Sequence, residues 1–163
     1  MKNLFTLLTV LLLSQSLISQ LSLDLEKSKI KWTGKKITNA SHWGSLSFSE
    51  ANLEFDGNDL IGGKFVVDMN TMSVDDIQGR GKQRLEGHLR NEDFFDVNNH
   101  KEAILMFDQR VPLTNGVYEV SGSLTIKGIS KPVKFTLVPD GQNYSSSLVF
   151  DRTEFEITYS SGN

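Results

Sequence analysis

The chain has 163 residues, 23% of them charged and 38% hydrophobic, with 17 basic against 20 acidic side chains and a formal charge of −3. That length describes one domain, too short to divide into two that each bury a core, and an acidic balance without a basic run argues against a nucleic-acid partner. Cysteine is absent, which excludes disulfide staples, thiolate metal sites and a lipid anchored on an N-terminal cysteine, so a packed core must supply the stability.

Lys2 precedes the mostly apolar run Leu4 to Leu13, and Ser14-Gln15-Ser16 ends it. This reads as a signal peptide over residues 1–20, cut after Ser16 or Ser19, with the folded domain at 21–163. The run falls short of the ~18 residues of a stable membrane span. Export to the periplasm or the medium is the expected location.

Beyond the leader, apolar side chains recur with period two. The longer runs are Ile61 to Met69, Tyr118 to Ile126, Val133 to Leu137 and Tyr144 to Phe150; the shorter are Ile30/Trp32, Leu46/Phe48, Leu53/Phe55, Ala103 to Phe107 and Phe155 to Tyr159. Asp56-Gly57-Asn58-Asp59, Thr114-Asn115-Gly116, Lys127-Gly128 and Pro139-Asp140-Gly141 separate these runs with hairpin chemistry. Strands this close together leave little room for crossover helices, so the sheet is antiparallel. Only Lys82 to Arg90 changes period, with Leu85 and Leu89 four apart, and predicts one short helix packed on an open end of the sheet.

A sheet of about eight such strands escapes its edges by closing into a barrel, with a sandwich as the competing solution. Strict alternation places Ile30, Trp32, Phe65, Val67, Leu105, Phe107, Leu124, Ile126, Phe135, Leu137 and Phe150 on the inner face. Two readings of that face are open: side chains that fill a dry core, or the lining of a space for an apolar ligand, which gains ~0.8 kcal/mol per methylene buried.

Catalytic patterns are missing. His42, His88 and His100 show no zinc spacing, no serine lies in a Gly-x-Ser-x-Gly turn, and no phosphate loop occurs. Asp75-Asp76 offers two carboxylates, but Ser73, three residues before Asp76, reads as a capping box on a short turn. No catalytic residue, metal ligand or cofactor is expected, and the chain is not read as an enzyme.

Four segments carry a resemblance: Gly62-Gly63-Lys64-Phe65-Val66-Val67-Asp68-Met69; Leu85-Glu86-Gly87-His88-Leu89-Arg90 with Asp93-Phe94-Phe95-Asp96; Gly122-Ser123-Leu124-Thr125-Ile126-Lys127-Gly128-Ile129-Ser130-Lys131-Pro132; and Asp151-Arg152-Thr153. In this order the chain resembles the YceI-like, polyisoprenoid-binding family. The resemblance implies an all-β, antiparallel lipocalin-like β-barrel with one short helix after the central strands. It also implies a channel for a polyisoprenoid, a prenylated quinone or a similar long-chain amphiphile, and no enzymatic activity. His88, Arg90 and Asp93 are then a polar cluster that closes one barrel end, or, in the sharper reading, binds a head group.

Three positions depart from the family pattern. Lys101 stands where proline is usual, Glu156 where glycine is common, and after Ser160 the family's last strand is not found. Either the barrel closes without that strand, or the edge it leaves favours a homodimer or aggregation by strand addition. The rival functions are an enzyme acting on such a lipid through His88 and Asp93, and a stress-related structural protein with a filled core.

Overall fold

A computed structural model describes residues 17–35 and 41–159. Eight strands run in the order β1 (Ile18–Ser22), β2 (Ile30–Lys35), β3 (Ser41–Asp56), β4 (Asp59–Val74), β5 (Glu102–Pro112), β6 (Tyr118–Ile126), β7 (Ile129–Asp140) and β8 (Asn143–Ser147). The α-helix α1 (Gly79–Arg90) joins β4 to β5, and short 3-10 turns occupy Thr114–Gly116 and Arg152–Phe155 among the described residues. Each strand from β3 to β7 pairs antiparallel with the next, and β1 and β2 pair with different stretches of the same edge of β3. The sheet curls into a half-barrel, open between β8 and the β1/β2 side among the described residues.

The hairpins follow from local chemistry. Between β6 and β7, Lys127 (φ 52°) and Gly128 (φ 74°) both take left-handed backbone, the two-residue turn whose twist matches that of the flanking strands. Helix α1 starts three residues before the expected Lys82 and buries Leu89 and half of Leu85. Its polar side chains serve the end of β4: Glu86 Oε1 accepts from the Val74 N–H at 2.9 Å, and the Arg90 guanidinium donates to the Met72 carbonyl. Groups without a strand partner are thus satisfied from the helix.

Two expectations about the strands are corrected. Leu46/Phe48 and Leu53/Phe55 belong to one 16-residue strand, bent at three register shifts. Bulges of this kind let a long strand coil around a core. Phe155 to Tyr159 is not a strand: the Arg152–Phe155 turn shortens the chain there, and β8 ends at Ser147. Ile18-Ser19-Gln20, assigned to the leader, lie in β1 against Glu54, Phe55 and Asp56. A cut after Ser16 leaves that strand whole, and a cut after Ser19 removes its first two residues. Residues 1–16, the bulk of the proposed leader, lie outside the described residues.

Two apolar clusters occupy the concave face. One, beside α1, is built on Met72, Val74, Leu124, Ile126, Phe155 and Ile157; the other, toward the opposite end, on Leu53, Leu60, Phe107, Val120, Phe135 and Leu137. Alternation is not perfect. Val66 is only 4% exposed yet belongs to neither cluster, because it lies on the outer face with the Lys64–Glu50 ion pair of 2.6 Å.

Candidate ligand-binding site

Between the two clusters the inner face is apolar but incompletely covered. Leu105 of β5, Val133 of β7 and Leu148 just after β8 each touch both clusters and are only half-buried. Phe65 and Val67 of β4, also half-buried, pack on one cluster each. Across this zone runs a chain of rings: Phe48 to Phe65 at 5.9 Å, Phe65 to Phe107 at 6.5 Å, and Phe107 edge-on to Phe135 at 5.9 Å. Apolar side chains with free surface, held between two dry ends, can take up methylene groups but offer no reactive atom.

A cleft of about 250 Å³ opens beside this zone, between Lys131–Lys134 of β7 and the Leu148–Phe155 segment. Val133, Leu148 and Phe155 give it an apolar floor, and Lys131, Lys134, Asp151 and Glu154 ring it with charge. A larger hollow of about 650 Å³, at the bulge between Phe107 and Gln109, lies elsewhere. Its lining includes Met106, Ser121, Ser123 and Lys134, which have the outward parity, so it belongs to the convex surface.

Of the side chains expected inside, Phe107, Leu124, Ile126, Phe135 and Leu137 are buried, and Trp32, Phe65, Val67 and Leu105 pack on the clusters half-covered. Ile30 is half-buried but joins neither cluster. Phe150 does not join the inner face: it is 41% exposed, stands edge-to-face with Phe155 at 5.6 Å, and lines the cleft instead. Alternation stops with β8 at Ser147, so parity counted from Tyr144 does not reach it. The most deeply covered residues, Leu53, Leu60, Val74, Val120, Phe155 and Ile157, were not in the expected set. Leu53, Val120, Phe155 and Ile157 stood in alternating runs; what sequence lacked was which end of each run would be covered.

The polar cluster is regrouped. His88 Nδ1 lies 3.8 Å from the Asp93 carboxylate, and its ring packs on Tyr159 at 4.2 Å and Phe94 at 5.4 Å. Arg90 turns instead to the Met72 carbonyl. Arg152 fills the place expected of Arg90: its two terminal nitrogens donate to the Ile157 and Tyr159 carbonyls at 2.7 Å each, and its guanidinium lies over the Phe94 ring at 5.2 Å. The Asn91–Val97 turn folds back on α1 through Phe95 N–H to Leu89 and Val97 N–H to Arg90 carbonyls.

Asp75 and Asp76 diverge and make no catalytic pair. The Ser73 hydroxyl binds the Asp75 carboxylate at 2.7 Å, so Ser73 is not the cap on Asp76 that its spacing implied. The hydroxyls of Ser73 and Ser45 hold Asp75 below the usual carboxylate value. Asp76 receives His42 Nδ1 at 2.8 Å; burial pushes its pKa up, and the hydrogen bonds from His42 and the Trp43 backbone outweigh this and hold it down. Among the described residues no three His, Asp or Glu side chains converge to hold a metal, and no helix is long and apolar enough to cross a membrane.

The family model of the YceI-like domain matches residues 21–163. The chain belongs to the YceI-like family. This YceI-like chain is 30% identical to a UPF0312 protein of Pectobacterium atrosepticum over 100 residues, 61% of this chain and 50% of that one. It is 31% identical to a UPF0312 protein of Ectopseudomonas mendocina over 90 residues, 55% of this chain and 41% of the other. It thus spans about half the length of the curated relatives it matches. Its fold is similar to that of Burkholderia cenocepacia BcnA, with a TM-score of 0.67, 24% identity, and 81% and 82% of the two chains covered. A mutant CJ YceI protein, solved with a monobromobimane guest, aligns at a TM-score of 0.52 and 13% identity, over 98% of this chain and 81% of that one.

Proposed function

We propose that this YceI-like chain is an exported carrier or reservoir for a long-chain amphiphile, a polyisoprenoid or prenylated quinone, seated along the half-buried inner face. The observation that supports it is the zone of Leu105, Val133 and Leu148, apolar on both sides and left partly uncovered by the fold. Each methylene placed there gains ~0.8 kcal/mol, so an isoprenoid tail of a few units needs no polar anchor to bind. The polar ring of the cleft, Lys131, Lys134, Asp151 and Glu154, is where a head group would meet water. A binding module in the periplasm or medium suits such a cargo, which is nearly insoluble when free. The open strand edges favour a homodimer by strand addition, which sedimentation at rising concentration tests.

Native mass spectrometry of protein purified gently from its own host tests the carrier reading. The expected result is a co-purified long-chain lipid, released by organic extraction. Repeated absence of lipid would favour a filled core. A chemically altered lipid, lost on His88→Ala, would favour an enzyme.

A further inference from the structure

The outer face of the β2–β3 hairpin carries a row of lysines and an exposed tryptophan. Lys31 and Lys35 of β2, and Lys29 just before it, are exposed and alternate with the half-buried Ile30 and Trp32. Register places Trp43 beside Thr33, Ser45 beside Lys31 and Ser41 beside Lys35. Trp43 is 41% exposed, and the Lys31 ammonium lies 4.4 Å from its ring centre. Of the carboxylates nearby, Asp24 is engaged by Lys27 at 2.8 Å, Asp75 by Ser73 and Lys82, and Asp76 by His42, which leaves Glu26 as the acidic neighbour of Lys29. Lys29 donates to the Glu26 backbone carbonyl. Among the described residues none of Lys29, Lys31 and Lys35 pairs with a carboxylate.

We propose that this face docks the protein on an anionic lipid bilayer. A positive row on a chain of net −3 is complementary to a negative surface, and a tryptophan ring with a polar edge suits the headgroup layer. A soluble protein partner would need an apolar centre, whereas this face offers one aromatic ring among serines. The choice of a lipid surface over other polyanions rests on the carrier reading. Strand β2 also borders the open side of the half-barrel among the described residues.

The test is sedimentation of the full chain with phosphatidylcholine vesicles, with and without phosphatidylglycerol at roughly one lipid in three. Binding is expected on the anionic vesicles alone, fading as salt shortens the Debye length. Lys29→Gln/Lys31→Gln/Lys35→Gln should weaken it about a hundredfold, and Trp43→Phe should abolish the blue shift of emission on binding. Lys101→Gln/Lys127→Gln, outside both the hairpin and the cleft, should leave binding unchanged, and circular dichroism confirms that each variant folds. Equal binding to both vesicle types, a triple variant that binds like the parent, or equal loss in the control variant overturns the proposal. So does tighter binding to single-stranded RNA than to anionic vesicles. Native mass spectrometry of the same preparations separates the two readings: vesicle binding without interior lipid leaves docking standing and overturns the carrier.

Discussion

The ring of Phe107 lies over Gly63, so that a Cβ on that glycine would fall 2.5 Å from ring atom Cε1 and 2.9 Å from Cζ. The two face each other across β4 and β5, and Gly122 of β6 flanks Phe107 on the other side, where a Cβ would meet the Met106 carbonyl oxygen at 1.9 Å. Gly63→Ala should cost about 1–3 kcal/mol, the range of overpacking. Gly122→Ala should cost more, because its obstacle is backbone. In a double-mutant cycle read by urea unfolding, Phe107→Leu should offset part of the Gly63→Ala cost and little of the Gly122→Ala cost.

Glu156 holds φ 58° and ψ 27° at the end of the Arg152–Phe155 turn. A side chain in that left-handed backbone costs roughly 1–2 kcal/mol, partly offset because glycine is freer in the unfolded chain. Glu156→Gly should therefore stabilise the protein by about 0.5–1 kcal/mol, seen as a raised thermal midpoint.

Arg152 holds the segment after it through two carbonyls, with a planar group that an ammonium cannot imitate. Arg152→Lys should lose at least one of these bonds, at about 1.5–3 kcal/mol. The expected signs are a lower thermal midpoint and faster proteolysis between Leu148 and Tyr159, with the β2–β3 hairpin still protected.

Leu124 is 7% exposed in the cluster beside α1, whereas Phe65 is half-buried beside the uncovered zone. Leu124→Asp should cost several kcal/mol, since a carboxylate enters a dry cluster. Phe65→Asp should cost less stability but more bound lipid. Parallel unfolding curves and lipid content by mass spectrometry check the split; full lipid retention by Phe65→Asp would move the site elsewhere.

Asp75, Asp76 and Asp151 all titrate below the ordinary carboxylate value, Asp151 through the backbone N–H and hydroxyl of Thr153. A carboxyl with a lowered folded pKa contributes stability that is complete above its unfolded value and lost as pH falls through the folded one. The thermal midpoint should therefore fall as pH drops below about 4, and Asp75→Asn/Asp76→Asn/Asp151→Asn should flatten that decline. An unchanged slope would place the acid sensitivity elsewhere.

Alternation and turn chemistry by themselves determined the antiparallel class, the hairpins at Asp56–Asp59 and Lys127–Gly128, and a helix carrying Leu85 and Leu89 on one face. These are local quantities, set by a side chain's period and by the φ its neighbours allow. The tertiary structure alone decided that Phe150 faces solvent, that Arg152 and not Arg90 secures the segment beside His88, and that Leu105, Val133 and Leu148 keep free surface. Each depends on what lies across from a residue. Cover is supplied by elements distant in sequence, here α1, the bulged β3 and the Leu148–Phe155 segment, and no period within one strand encodes it.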